Sequence, residues 1–134
     1  GQSLSRLATA DPGNPVATSS ILSADQQLIR LDLDKVQALL YADCPESDVA
    51  LARQRLCAEP VTPFVTPVAI TAERAGSVPR SYIECLNDIA IPLWFQRQMQ
   101  AGMPCDAVHA LPTGHSPFFA APVELARMLA DAAR

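Results

Sequence analysis

Hydrophobic positions change period twice along the chain. From Leu28 the run LIRLDLDKVQALLYADCP alternates Leu28, Ile29, Leu31 and Leu33 with charged residues, then shifts to helical spacing at Val36, Leu39 and Leu40. This predicts a short strand or hairpin running into a helix, with Asp34 as its N-cap. Cys44 and Pro45 end that helix, because the residue before a proline is pushed out of the helical region. Ser47 can cap a second helix over DVALARQRL, where Val49, Leu51 or Ala52, and Leu56 share a face.

A traverse follows in which Pro60, Pro63, Pro67 and Pro79 remove backbone donors and force extended connections. Beyond it one unit occurs twice. RSYIECL reads as a strand, NDIAIP as a loop, and PLWFQRQMQAG as a helix with Pro92 in its first turn. Then DAVHAL is a strand, PTGHSPFFAA a loop, and PVELARMLADAAR an amphipathic helix with Val123, Leu125, Ala126, Met128 and Leu129 along one side. Strand, helix, strand, helix in this order implies a parallel α/β sheet. Residues 1–27, rich in Ser, Ala, Asp, Gly and Pro, are expected to be a flexible lead-in with at most one short helix near Ser3 to Ala8.

Composition narrows the partners. The chain has 134 residues, 49% of them hydrophobic, enough for one domain with a sizeable core. Its net charge of −4 and scattered basic residues give no footprint for nucleic acid or an anionic membrane. No run of 18 apolar residues and no charged-then-apolar leader is present, so the expectation is a soluble protein. Cys44, Cys57, Cys85 and Cys105 are spread without a CxxC pair, and two histidines at odd spacing supply no zinc pattern. Free thiols in the cytoplasm are therefore expected. The first residue is Gly1 rather than Met, as in a processed product, a cloning remnant or a fragment.

The candidate chemistry sits in the two loops. Residues just beyond the carboxyl ends of adjacent parallel strands face one crevice, so Asp88 and His115 can meet. A carboxylate that accepts from one imidazole nitrogen fixes the tautomer and leaves the other nitrogen free as a base. A loop Asp is also a common turn former and a loop His a common surface residue, and spacing alone leaves both readings open. His109 lies inside a strand, where packing is the simpler role. Ser116 adjoins His115, but GHSPF is not a GxSxG nucleophile elbow. Glu84 and Asp106 bound the strands and are expected to be solvated. Trp94, Phe95, Phe118 and Phe119 can pack a core or line a pocket.

VPRSYIECLNDIAIPLWFQRQM followed by LPTGHSPFFAAPVELARML resembles the C-terminal part of α/β-hydrolase fold enzymes. The branch is that of plant-type methylesterases and hydroxynitrile lyases with their bacterial relatives. There a YIEC-like strand leads to the triad acid, a helix near IP reading FQR follows, and DHSPF carries the triad histidine. Asp88 and His115 fall on those positions. Gly114 departs from the pattern, since the family commonly has Asp before the histidine, and the resemblance implies a looser turn. It further implies a small helical cap over residues 28–63 and a C-terminal α/β part over 64–134, with Leu40, Tyr41, Trp94 and Phe118 as candidates to line a substrate pocket.

The family's order is Ser, acid, His, with the serine on a GxSxG elbow, and the chain contains neither GxSxG nor an HGGG-like oxyanion loop. The implied reading is an ester-hydrolase component, inactive alone, whose serine lies on a missing N-terminal half, supplied by the same or a separate chain. Two alternatives stand beside it. One is hydroxynitrile-lyase-like acid/base chemistry. The other is a non-catalytic fragment that assembles through an exposed sheet edge, for instance with a second copy. The implied partner is a small ester. No metal or organic cofactor is expected.

Overall fold

A computed structural model describes residues 1–11 and 13–133. In chain order its helices are α1 (Leu4–Ala8), α2 (Val36–Leu40), α3 (Glu46–Arg55), α4 (Thr62–Val65), α5 (Leu93–Gly102), α6 (Pro117–Ala120) and α7 (Pro122–Ala132). Its strands are β1 (Ser20–Leu22), β2 (Leu28–Leu31), β3 (Glu59–Pro60), β4 (Ser81–Cys85) and β5 (Ala107–Leu111).

The repeated strand-loop-helix unit builds the part that matters for chemistry. β4 and β5 pair in parallel, in register from Ser81 opposite Ala107 to Cys85 opposite Leu111. Asp106 closes the start of the pair: its carboxylate accepts from the Arg80 amide at 2.8 Å, and its own amide donates to the Arg80 carbonyl at 2.8 Å. At the other end the ladder runs on into the loops, with the Leu86 amide on Leu111 O and the Asn87 amide on Thr113 O, both at 2.9 Å. The two loops therefore leave the sheet zipped together. Pro92 is the cap residue of α5 and Pro122 opens α7, each where a missing N–H costs nothing.

Glu84 is not the solvated strand end that was expected. It is only 6% exposed, and its two oxygens accept from Arg97 at 3.0 and 3.2 Å, with Gln100 adding a bond at 3.2 Å. Strand alternation turns it toward α5, and the Arg97 partner holds its carboxyl below the usual glutamate range.

The lead-in is more structured than its composition suggests. α1 forms where expected, with Ser3 as its N-cap, and β1 adds to β2 in an antiparallel hairpin that β3 joins on the far side of β2. Pro60 sits on the edge strand of this small sheet, the position where a missing donor is tolerated. Asp34 and Ser47 do not cap their helices. Lys35 and Pro45 are the cap residues, and Ser47 lies inside the first turn of α3.

The core is smaller than the hydrophobic content suggests. The buried apolar side chains among the described residues are Val36, Leu39, Val49, Ala90, Phe95 and Leu111, whereas Trp94, Val108, Val123 and Leu129 are each more than half exposed. A two-stranded parallel sheet lacks the area to cover them. No helix among the described residues is long and apolar enough to cross a membrane.

Candidate active site

Asp88 lies three residues past β4 and His115 four past β5, and the zipped loops bring them into contact. His115 Nδ1 is 2.9 Å from Asp88 Oδ2. An ionised carboxylate only accepts, so opposite an ionised Asp88 the hydrogen-bond pattern assigns the proton to Nδ1, and in the neutral ring Nε2 is the acceptor. Nε2 has no hydrogen-bond partner among the described residues. The His115 side chain is 33% exposed while that of Asp88 is 6% exposed, so a buried acid orients a ring that solvent or a substrate can reach.

Asp88 serves as turn former and imidazole partner at once. Its Oδ1 accepts from the amides of Ala90 and Ile91 at 2.8 and 2.9 Å, fixing the carboxylate so that Oδ2 faces His115. Two further side chains lock this loop. Gln96, 2% exposed on α5, accepts from the Cys85 amide at 3.0 Å and donates to the carbonyls of Cys85 and Ile91 at 2.9 and 2.8 Å. Asn14 donates to the Ala90 carbonyl at 3.1 Å, tying the lead-in segment to the acid's loop.

The His115 turn is held from the opposite side. Asp43 Oδ2 accepts from the Gly114 amide at 2.6 Å, and the Cys44 thiol approaches Ser116 O at 3.8 Å. Gly114 thus sits in a clamped turn, not the loosened one its departure from the family pattern implied. Burial, and then the Asp43 and Asp48 charges, push the Cys44 thiol up, which keeps it in the donating form. Ser116 is buried at 2% exposure, and its carbonyl accepts from the amides of Phe119 and Ala120, the last two residues of α6.

Beside this turn a cleft of about 280 Å³ is lined by Tyr41, Leu51, Ala52, Arg55, Leu56 and Phe119. The rings of Tyr41 and Phe119 stand 6.0 Å apart. Of the four residues expected at a pocket, Tyr41 lines this cleft. Leu40, its half-buried neighbour at the end of α2, does not. Phe118 is 55% exposed and Phe119 takes the cleft position instead, while Trp94 is 51% exposed, its ring tilted against that of Phe95 with centroids 5.4 Å apart. Among the described residues no group of His, Cys, Asp and Glu is arranged to hold a metal ion.

Asn14, Asp43, Cys44 and Gln96 escaped the reading of the sequence. Gln96 alone had a signal, as the middle of FQR.

No family model matches the chain. Over 100 residues it is 37% identical to the pyrethroid hydrolase of Sphingobium wenxiniae, an alignment spanning 74% of this chain and 35% of that protein. It is 37% identical over 107 residues to a putative chloroplastic methylesterase, number 11, of Arabidopsis thaliana, covering 78% of this chain and 27% of the relative. Among solved structures, a pyrethroid hydrolase from Sphingobium faniae superposes with a TM-score of 0.77 at 31% identity over 89% of this chain and 49% of the other. Polyneuridine aldehyde esterase shares the fold, with a TM-score of 0.81 at 19% identity over 99% of this chain and 57% of that one. The chain therefore has the α/β-hydrolase fold, of which it forms a C-terminal portion. Within that fold the proteins it is similar to include a pyrethroid hydrolase and plant methylesterases. It spans about half the length of these solved relatives.

Proposed function

We propose that this chain supplies the acid and the base of a serine carboxylic-ester hydrolase. The observation that carries the reading is the 2.9 Å contact between His115 Nδ1 and Asp88 Oδ2 at the ends of two adjacent parallel strands. In this reading a serine hydroxyl attacks the ester carbonyl while Nε2 of His115 takes its proton. Asp88 stabilises the resulting imidazolium, and the tetrahedral oxyanion rests on backbone donors. Collapse breaks the bond to the alkoxy oxygen, which leaves as the alcohol with the proton from His115. Water then repeats the sequence on the acyl-enzyme, releasing the acid.

The serine and oxyanion donors are assigned to a separate part of the hydrolase fold, since this sequence has no GxSxG elbow and the solved relatives are about twice as long. The exposed Trp94, Val108, Val123 and Leu129 provide an apolar surface for that part to cover. Residues 28–63 act as the cap, because Tyr41 just past α2, and Leu51, Ala52, Arg55 and Leu56 on or just past α3, contribute most of the wall of the Tyr41 cleft. Ester hydrolysis is favoured over cyanohydrin cleavage by the relatives, which are named as hydrolases and methylesterases.

Fluorophosphonate labelling of an active preparation, followed by intact-mass analysis, tests the reading. A label on a serine outside these 134 residues, abolished by His115→Ala, is the expected result. A fully active preparation that takes no label would overturn it.

A further inference from the structure

The Asp43–Cys44 pair and the Gly114–His115–Ser116 turn lie 71 and 72 residues apart in sequence, yet they meet through two contacts. The Asp43 carboxylate caps the amide before His115 at 2.6 Å, and the Cys44 thiol lies 3.8 Å from the carbonyl after it. Both residues flanking His115 are thereby held. Gly114 is explained by the same contact. It has no positive φ, so conformation does not demand glycine there. Space does: a Cβ at position 114 would lie 2.9 Å from Asp43 Oδ1 and 3.4 Å from its Cγ. A side chain there would push the carboxylate off the amide it caps.

We propose that Asp43 is a positioning residue for His115, acting from the 28–63 segment through the Gly114 amide, and that Gly114 is glycine to admit the Asp43 carboxylate. The inference rests on the reading of His115 as the base. Asp88 fixes the rotation of the ring through Nδ1, and Asp43 fixes the amide of the residue before His115, at the start of the turn that carries the ring. The cleft residue Tyr41 lies two positions before Asp43, and Phe119 four after His115. The clamp therefore joins the segment that lines the cleft to the group that would transfer the proton.

The test is a mutant cycle in an active ester-hydrolysing preparation, with thermal unfolding followed alongside. Asp43→Ala is expected to lower kcat by about 10- to 100-fold with KM changed by less than about threefold, the scale of loss when a reacting group is misplaced by a fraction of an ångström. Asp43→Asn retains an acceptor oxygen for the Gly114 amide and is expected to recover kcat to within about fivefold of the parent. Gly114→Ala is expected to match Asp43→Ala, and the double variant to be no worse than either, because each removes the same contact.

The second readout is the downfield NMR signal of the His115 Nδ1 proton, which a purely structural role for Asp43 would leave in place in folded protein. It is expected to broaden or shift in Asp43→Ala and Gly114→Ala, and to return in Asp43→Asn. Additive losses, or an unchanged signal with kcat within about twofold of the parent, would overturn the clamp. Should His115→Ala leave turnover intact, the reading of the base fails, and the Nδ1 signal in Asp43→Ala still decides whether Asp43 positions the ring.

Discussion

Replacing Asp88 with Asn and with Ala separates its two tasks. Oδ1 holds the Ala90 and Ile91 amides, and Oδ2 meets His115. Asp88→Ala strands both amides. Ala90 is 1% exposed, so its amide finds no water, whereas the half-buried Ile91 recovers some. At about 1–3 kcal/mol for each buried donor left unpaired, the expected destabilisation is about 2–4 kcal/mol. Asp88→Asn keeps one oxygen for those amides and turns its NH2 toward the imidazole. Nδ1 must then accept, the proton moves to Nε2, and the ring no longer takes a proton from serine. Turnover is expected to fall about 10⁴-fold, the loss seen when this exchange is made in a serine protease triad, equivalent to about 5.5 kcal/mol of barrier. Stability is expected to fall by less than about 1 kcal/mol. Urea unfolding and ester turnover of the two variants read the tasks independently. Equal destabilisation by both, or an Asp88→Asn loss below about tenfold, would refute the division of labour.

Glu84 gives a pH test. Its folded value is depressed, so its contribution to stability is fully present above the usual glutamate range and is lost as pH falls through the folded value. Glu84→Gln is therefore expected to be less stable than the parent at neutral pH, with the gap in urea midpoint closing as pH falls through and below the usual glutamate range, and a gap independent of pH would contradict this. Gln96→Met, which removes three bonds from the Asp88 loop at a site 2% exposed, is expected to cost about 2–4 kcal/mol in unfolding, and a loss under about 0.5 kcal/mol would contradict the lock. Timed iodoacetamide alkylation with mass mapping is expected to label exposed Cys57 well before Cys44, whose thiol is pushed up by burial, and the reverse order would contradict the environment assigned to Cys44.

The strand-loop-helix repeat was legible because Pro92 and Pro122 mark helix starts and β4 and β5 are short apolar runs between turn residues. Asp88 and His115 followed from the rule for adjacent parallel strands, which asks only for residues past two carboxyl ends. The clamp was invisible because nothing in ADCP or TGHSP announces a contact across some 70 residues of chain. Glu84 was misplaced because a charged residue in a strand reads as solvated until a particular arginine one layer away is known to pair with it. Phe118 and Phe119 exchanged roles because α6 is a single turn, too short for its period to show which ring faces the cleft. The β1 strand hid in three residues among serines, where tertiary pairing with β2 outweighs local preference.

The most direct test of the account is steady-state ester turnover of the active enzyme carrying His115→Ala, with unfolding measured on the same sample. The account expects kcat to fall by at least about 10³-fold in protein that remains folded, since the members of a triad act as a unit. A folded variant that turns over ester within about tenfold of the parent would contradict it, and would leave the Asp88–His115 contact as a structural feature of the two loops.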